Sequence, residues 1–416
     1  MQRTTTLIIG AGQAGLAMSQ NLTKLNVDHV LLERGQVANS WRTERWDSLR
    51  LLSPNWQSRL PGYTYSGDNP DGFRTLPETI HFFDEYAQNI SAPVQTDTQV
   101  TRVTAADDGY RVSTNRGDWH CRTLVIASGV MNHANIPACA ETLPTSIQSL
   151  SPKDYRNPQQ IEEGGVLVVG PSASGIQIAQ ELKLAGHDVV LSVGEHVRLP
   201  RTYRGKDILW LMDQSGMFDT TIDEVDDLNR VRHLPSMQLV GSPTRVTISL
   251  NSLQTLGIEI VGRASGFRDS EALFSGSLAN VCQLADLKMN RLLHAFDQWI
   301  DESGLSASFD PAYELRPTDV PDTPALSIDL VDRNIRTVIW ATGFRPDYHW
   351  LDLPVLDRKG CLRHDGGVVD APGVYAMGLP FMRKRKSNFI DGVADDAHAL
   401  SQHLRSFLDG RAQVAA

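Results

Sequence analysis

The feature that most limits what this chain can fold into occurs twice. A short apolar strand, Leu7-Ile8-Ile9, runs into Gly10-Ala11-Gly12-Gln13-Ala14-Gly15 and then into a segment whose Ala14, Met18, Leu22 and Leu25 recur at helical spacing. The strand Val30-Leu31-Leu32-Glu33 closes the unit. The same order returns 160 residues later as Val166–Val169, Gly170-Pro171-Ser172-Ala173-Ser174-Gly175, a helix with Ile176, Ala179 and Leu182, and the strand Val189-Val190-Leu191. That period is too long for a solenoid and suits two separate βαβ units, each able to hold a dinucleotide. With 416 residues the chain also exceeds what one core usually holds. The expectation is an α/β fold with two Rossmann-like domains, one inserted into the other.

The glycines have separate tasks. Gly10 permits the tight bend, Gly12 leaves room for a pyrophosphate against the backbone, and Gly15 lets the helix approach the strand, while the helix N-terminus offers its positive dipole end. Glu33 stands 18 residues past Gly15, placed to accept from ribose hydroxyls as in FAD or NAD sites. The second turn keeps Gly170 and Gly175 but has Ser172 in the middle, and no carboxylate follows its closing strand before Glu195. Arg198, Arg201, Arg204 and Lys206 come next, and arginine suits bidentate phosphate contact, so this cluster is a candidate for a 2′-phosphate. A nicotinamide dinucleotide is the natural second ligand.

Between the units the pattern predicts a hairpin from Gln99 to Val112 turning at Asp107-Asp108-Gly109, then the strand Leu124–Ala127, with the Pro-bearing stretch from Ile136 to Pro158 as the linker. Beyond the second unit, a hairpin-like run, Arg245–Ser249, and a helix from Leu287 to Ile300 form an excursion of the second domain. Two short buried-type strands, Val338–Ala341 and Val374–Met377, are expected to rejoin the first domain. The division is therefore 1–155 and 328–416 for the first domain and 156–327 for the second.

Composition removes other classes. With 39 Lys+Arg against 49 Asp+Glu the formal charge is −10, the wrong sign for a chain held to nucleic acid by phosphate neutralisation. No two of Cys121, Cys139, Cys282 and Cys361 make a Cys-x-x-Cys pair, which argues against a disulfide relay and against a zinc knuckle; His120 and His133 lack second ligands at metal spacing. No signal-peptide core or apolar run of about 18 residues is present, so no membrane contact and a cytoplasmic location are expected. The run Arg383-Lys384-Arg385-Lys386 reads as a solvated loop, with Asn388 and Asp391 beside it as flavin-side candidates.

The order of these motifs resembles the flavin-containing monooxygenases and related single-chain flavoproteins. The resemblance rests on the first turn, the Glu33-Arg34 to Ser40-Trp41-Arg42 stretch, Ala127-Ser128-Gly129, the second turn and Ala341-Thr342-Gly343-Phe344. It implies FAD contacts at Gly10, Gly12, Gly15, Glu33, Arg34, Trp41, Val100 and Gly129, and NADP or NAD contacts at Gly170, Ser172, Ser174 and Gly175. The two glycine-terminated strand ends become the chain crossings, with Thr342 and Gly343 near the nicotinamide. It also implies a monooxygenase that oxygenates a small molecule with O2 through a flavin C4a-hydroperoxide. The chain departs from the pattern at three places. Thr145, Ile147 and Ser151 stand where the family has Phe, Gly and His. Leu52 follows Leu49-Arg50-Leu51 where the family has Asn, leaving Asn55 as the candidate catalytic residue. Gly194 stands where the family has an arginine after the second unit's closing strand. A flavin-dependent NAD(P)H dehydrogenase or oxidase, and a non-catalytic nucleotide sensor, stay open as alternatives; so does the choice between monomer and homodimer.

Overall fold

Alternate residues of each repeated strand enter different cores, so each strand must be covered on both faces. In the computed structural model, which describes residues 1–414, Ile8 lies in one cluster and Leu7 and Ile9 in another; Val166 and Val168 likewise part from Leu167 and Val169. The first unit comprises β1 (Gln2–Ile9), α1 (Gln13–Lys24) and β2 (His29–Leu32), and β3 (Gly117–Ile126) lies on the other side of β1. The second comprises β4 (Gly165–Val169), α2 (Ala173–Leu184) and β5 (Val189–Ser192), followed by β6 (Glu259–Val261), α3 (Leu278–Glu302) and β7 (Ile335–Trp340). The chain then returns to the first sheet with β8 (Val374–Ala376) and α4 (Val393–Val414). The four strands β2, β1, β3 and β8 run parallel, extended at one end by the hairpin Val100–Ala106 and Gly109–Thr114. The second sheet is parallel throughout, in the order β6, β5, β4, β7 and Gln148–Leu150. Leu16, Ala17 and Leu22 of α1 share a core with Val393, Ala397, Leu400 and Leu404 of α4.

Sheet membership moves the expected division. Gln148–Leu150, assigned to the first domain, and β7, assigned to the return, both pair within the second sheet, because β7 supplies Val338 and Ile339 as a buried neighbour for β4. The crossings lie farther out and pair with one another: Phe344–Arg345 runs antiparallel to His133–Ala134, and Asn135 N–H donates to the Gly343 carbonyl at 2.9 Å.

Three other expectations are corrected. Arg245–Ser249 forms no hairpin; Ser249 instead caps the helix Leu250–Thr255, accepting from Ser252 N–H. The predicted Leu287–Ile300 helix is the middle of the longer α3, whose Met289, Leu293, Phe296 and Ile300 are buried while Leu287 is exposed. The run Arg383–Lys386 is not a solvated loop. It bridges in antiparallel fashion to Thr221, and Lys384 and Lys386 both reach Asp219 at 3.0 Å, because the excursion presents acidic side chains to it. Among the described residues no helix is long and apolar enough to cross a membrane.

Candidate cofactor sites and the seam between them

The two turns have the same backbone design. Gly10 and Gly170 both have positive φ, +106° and +112°, and a Cβ on either would stand 2.5 or 2.4 Å from the carbonyl of Ala127 or Ala341. The strand ends named as crossings therefore press against the turns. A Cβ on Gly15 would lie 2.0 Å from the Gly10 oxygen, and one on Gly175 1.8 Å from the Gly170 oxygen, so the helix–strand approach excludes any side chain. Gly12 and Ser172 are the N-caps, with nearly equal extended conformations (φ −87° and −80°), and neither helix has a side-chain cap or an acidic residue in its first turn. Both helices thus present unpartnered N–H groups, the arrangement that receives phosphate. A Cβ on Gly12 meets nothing within 4 Å, so the space over the first turn is open for a pyrophosphate.

Around the first turn, Glu33 is buried and accepts from Ala11 N–H at 2.9 Å and Gly35 N–H at 3.2 Å. Burial raises its pKa, and the two amide bonds partly oppose that shift. Each oxygen keeps a lone pair for a ribose hydroxyl. The Glu33 carbonyl takes Thr98 N–H, which brings the Thr98–Val100 segment alongside. Arg34 points away, paired with Glu44. Trp41 stacks on Phe83 and touches the cores of both sheets, with Arg45 over its ring. Ser128, beside Gly10, has a buried hydroxyl without a partner, and Gly129 stands exposed after it.

Four consecutive residues show a feature invisible in sequence. Asn55 Oδ1, Trp56 Nε1, Gln57 Oε1 and Ser58 Oγ are all buried and all unpartnered, on the short helix Asn55–Gln57 and the residue after it. Native proteins leave few buried polar atoms unsatisfied, so a group of four marks a place where a polar ligand is expected. Asn55 is held by its Nδ2 donating to the Asn69 carbonyl and by its backbone N–H on Gly72, which leaves its carbonyl oxygen as an acceptor. Arg59, next in line, joins Asp213 at 3.0 Å to buried Asp391 at 3.1 Å; burial raises the Asp391 pKa, and Arg59 opposes the shift. These donors, acceptors and uncapped helix ends fit a flavin dinucleotide.

The second turn is furnished differently. Pro171 has no N–H to offer a carboxylate, and the end of β5 offers none: Ser192 Oγ donates to the Gly262 carbonyl and accepts from Ala264 N–H. Glu195 turns to Lys288 at 3.1 Å. Gln238, missed in the sequence, is buried, donates to the Pro171 carbonyl at 2.6 Å and keeps an unpartnered Oε1. Thr342 and Gly343 follow the strand end pressed against Gly170, with Thr342 Oγ1 donating to the Asn135 carbonyl at 2.7 Å. Ser174 lies in the first turn of α2.

The three arginines do not serve as expected. Arg198 is paired with Asp286, Arg201 with Asp207 and Arg204 with Asp297, and all three are buried. Arg201 also donates to the Leu52 carbonyl and lies over Phe73, stitching the excursion to the first domain. Their charges are spent on carboxylates, so the phosphate role read from their spacing is withdrawn.

Comparison with known proteins agrees with this geometry. A family model described as pyridine nucleotide-disulphide oxidoreductase matches residues 7–207. An uncharacterised CzcO-like oxidoreductase of Geobacillus kaustophilus is 32% identical over 400 residues, covering 95% of this chain and 96% of that protein. A protein of Arabidopsis thaliana named probable indole-3-pyruvate monooxygenase YUCCA3 is 27% identical over 238 residues, 51% of this chain and 54% of its own. A flavin-containing monooxygenase from Stenotrophomonas maltophilia has the same fold, with a TM-score of 0.68 at 18% identity, covering 98% of this chain and 100% of the other.

Proposed function

From the premise that the chain belongs to the family of CzcO-like oxidoreductases, we propose that it is an FAD-dependent, NAD(P)H-consuming monooxygenase of the flavin-containing monooxygenase type, acting on a small organic molecule. The observation that carries the reading is the pair of uncapped, glycine-lined helix starts, together with the unpartnered buried group Asn55–Ser58. A bound flavin would supply the redox chemistry, hydride acceptance and electron transfer to dioxygen. The protein's part is positional. The N–H groups at Gly12–Ala14 bind the pyrophosphate and Glu33 accepts from the ribose. The second turn, with Ser172, Ser174 and Gln238, holds the nicotinamide dinucleotide. Asn55 Oδ1, its own amide already fixed by Asn69, would accept a hydrogen bond from the bound cofactor or substrate. Trp41 and the buried Leu51 exclude water between the two cores.

Leu52, in the place of the family asparagine, favours one second reading, a flavin-dependent NAD(P)H oxidase. The test separates the two. Purified yellow protein is reduced anaerobically with NADPH or NADH, then mixed with oxygenated buffer and a panel of thioethers, amines, ketones and 2-oxo acids. Oxygenated product with little hydrogen peroxide is the expected result. Hydrogen peroxide equal to the NAD(P)H consumed, with every candidate unchanged, assigns the oxidase instead.

A further inference from the structure

We propose that Arg263 is the residue that receives the 2′-phosphate of NADPH; this deepens the nicotinamide reading above and rests on it. In a Rossmann unit the adenosine ribose lies at the carboxyl end of the second strand, where a carboxylate selects the free 2′-hydroxyl and an arginine accommodates the phosphate. Here the second strand is β5, and its end is stripped of both. Ser192 is consumed by Gly262 and Ala264, Glu195 is drawn to Lys288, and Arg198 is paired with Asp286.

Arg263 arrives from the neighbouring strand. β6 runs parallel to β5, with Ser192 opposite Val261, so Arg263 emerges at the same end of the sheet. The bond from Val193 N–H to the Val261 carbonyl and the two bonds of Ser192 fix the Gly262–Ala264 bend. A Cβ on Gly262 would lie 1.8 Å from the Ser275 oxygen, and Ser275 N–H donates to the Arg263 carbonyl at 2.9 Å, so this bend is packed against Ser275. The atoms nearest to where a Cβ on Gly194 would stand are Arg263 Cγ and Cδ, at 3.8 and 3.9 Å. The stem of Arg263 therefore runs beside the bare glycine where a resident side chain would otherwise be. Among the described residues its guanidinium has no ion pair and no side-chain hydrogen bond, and it is exposed. Each neighbouring arginine that the sequence offered is neutralised by an aspartate, whereas Arg263 keeps its charge and its fork of donors available.

The test is a binding titration on the flavin-loaded protein with adenosine 2′,5′-bisphosphate and 5′-AMP, which differ by the phosphate in question. The wild type is expected to bind the bisphosphate at least tenfold more tightly. Arg263→Ala removes most of that preference and changes 5′-AMP binding less than twofold; Arg263→Lys keeps part of it, as a point charge without the fork. Added salt weakens bisphosphate binding more in the wild type than in Arg263→Ala. A preference that survives in Arg263→Ala overturns the assignment, as does a wild type with no preference that is nonetheless reduced by NADH. A wild type that binds neither adenosine ligand and is reduced by neither nicotinamide overturns the underlying reading, and the assignment with it.

Discussion

The two turns share a backbone and differ in the side chains placed around it. The first places an amide, Ala11 N–H, under a carboxylate, and the carboxylate has somewhere to anchor. The second replaces that amide with Pro171 and has no carboxylate at the end of β5, so the same fold element loses donor and acceptor together. A turn therefore fixes where a pyrophosphate lies, while the choice between ribose hydroxyls and a charged substituent is made by residues outside the motif. For the second turn the candidates are Gln238, 63 positions after Gly175, and Arg263 beyond the neighbouring strand.

Substitutions can test how far that equivalence extends. The largest effect is expected from Gly15→Ala and Gly175→Ala, whose added carbons would overlap the Gly10 and Gly170 oxygens, each costing about 3 kcal/mol or more. Thermal unfolding should show similar losses for both, and the comparison breaks if one is tolerated. Gly12→Val, by contrast, enters open space: circular dichroism should be unchanged while the yellow colour is lost, and a fully yellow variant would remove the pyrophosphate assignment.

Next comes a titration on the helix that packs against the first unit. Burial pushes Asp396 of α4 up to about 6 from its ordinary 3.8, opposed by the Ser387 hydroxyl and Arg383. A raised carboxyl binds its proton more tightly in the folded state, so its contribution is full below pH 4 and is lost as the pH rises through 6. Asp396→Asn should therefore stabilise the protein by roughly 2 kcal/mol at pH 8, with the gain vanishing near pH 4. A gain independent of pH in denaturant melts would show that Asp396 is not the titrating group.

Glu33→Gln has a smaller consequence. An amide oxygen accepts from Ala11 or Gly35, but its NH2 then faces the other N–H, and flavin should dissociate about tenfold faster in a 450 nm release assay. Unaltered release would mean that Glu33 serves only the turn. Smallest of all is Ser172→Gly. The serine side chain caps nothing and the backbone is extended, so a change of a few tenths of a kcal/mol is expected in melting, and the two N-caps prove interchangeable.

The units were legible because their glycines answer local demands: a positive φ at Gly10 and Gly170, and helix–strand contact at Gly15 and Gly175, are conditions that neighbouring residues impose. Glu33 could be read for the same reason, since it lies one strand away at a fixed offset. The arginines could not. Their spacing resembled a phosphate cluster, but Asp286 and Asp297 approach from α3, about 90 residues on, and nothing local announces a partner at that distance. Asn55 was nominated from the family pattern, but its neighbours Trp56–Ser58 were opaque for a related reason, because an unpartnered atom is defined by everything that fails to surround it. The boundary at 328 was misplaced because β7 is apolar on both faces, and apolarity alone does not say which sheet a strand joins.

The paired crossings have a mechanical consequence. Two strands tied side by side, His133–Ala134 and Phe344–Arg345, resist stretching and shearing but bend and twist with little resistance. The backbone therefore crosses between the two sheets in both directions at one place, and the bridge of Thr221 to Lys384 and the bond from Arg201 to the Leu52 carbonyl are ties made away from it. A turn of one sheet against the other is then opposed by side-chain ties such as Arg59 to Asp213 and not by the crossings themselves.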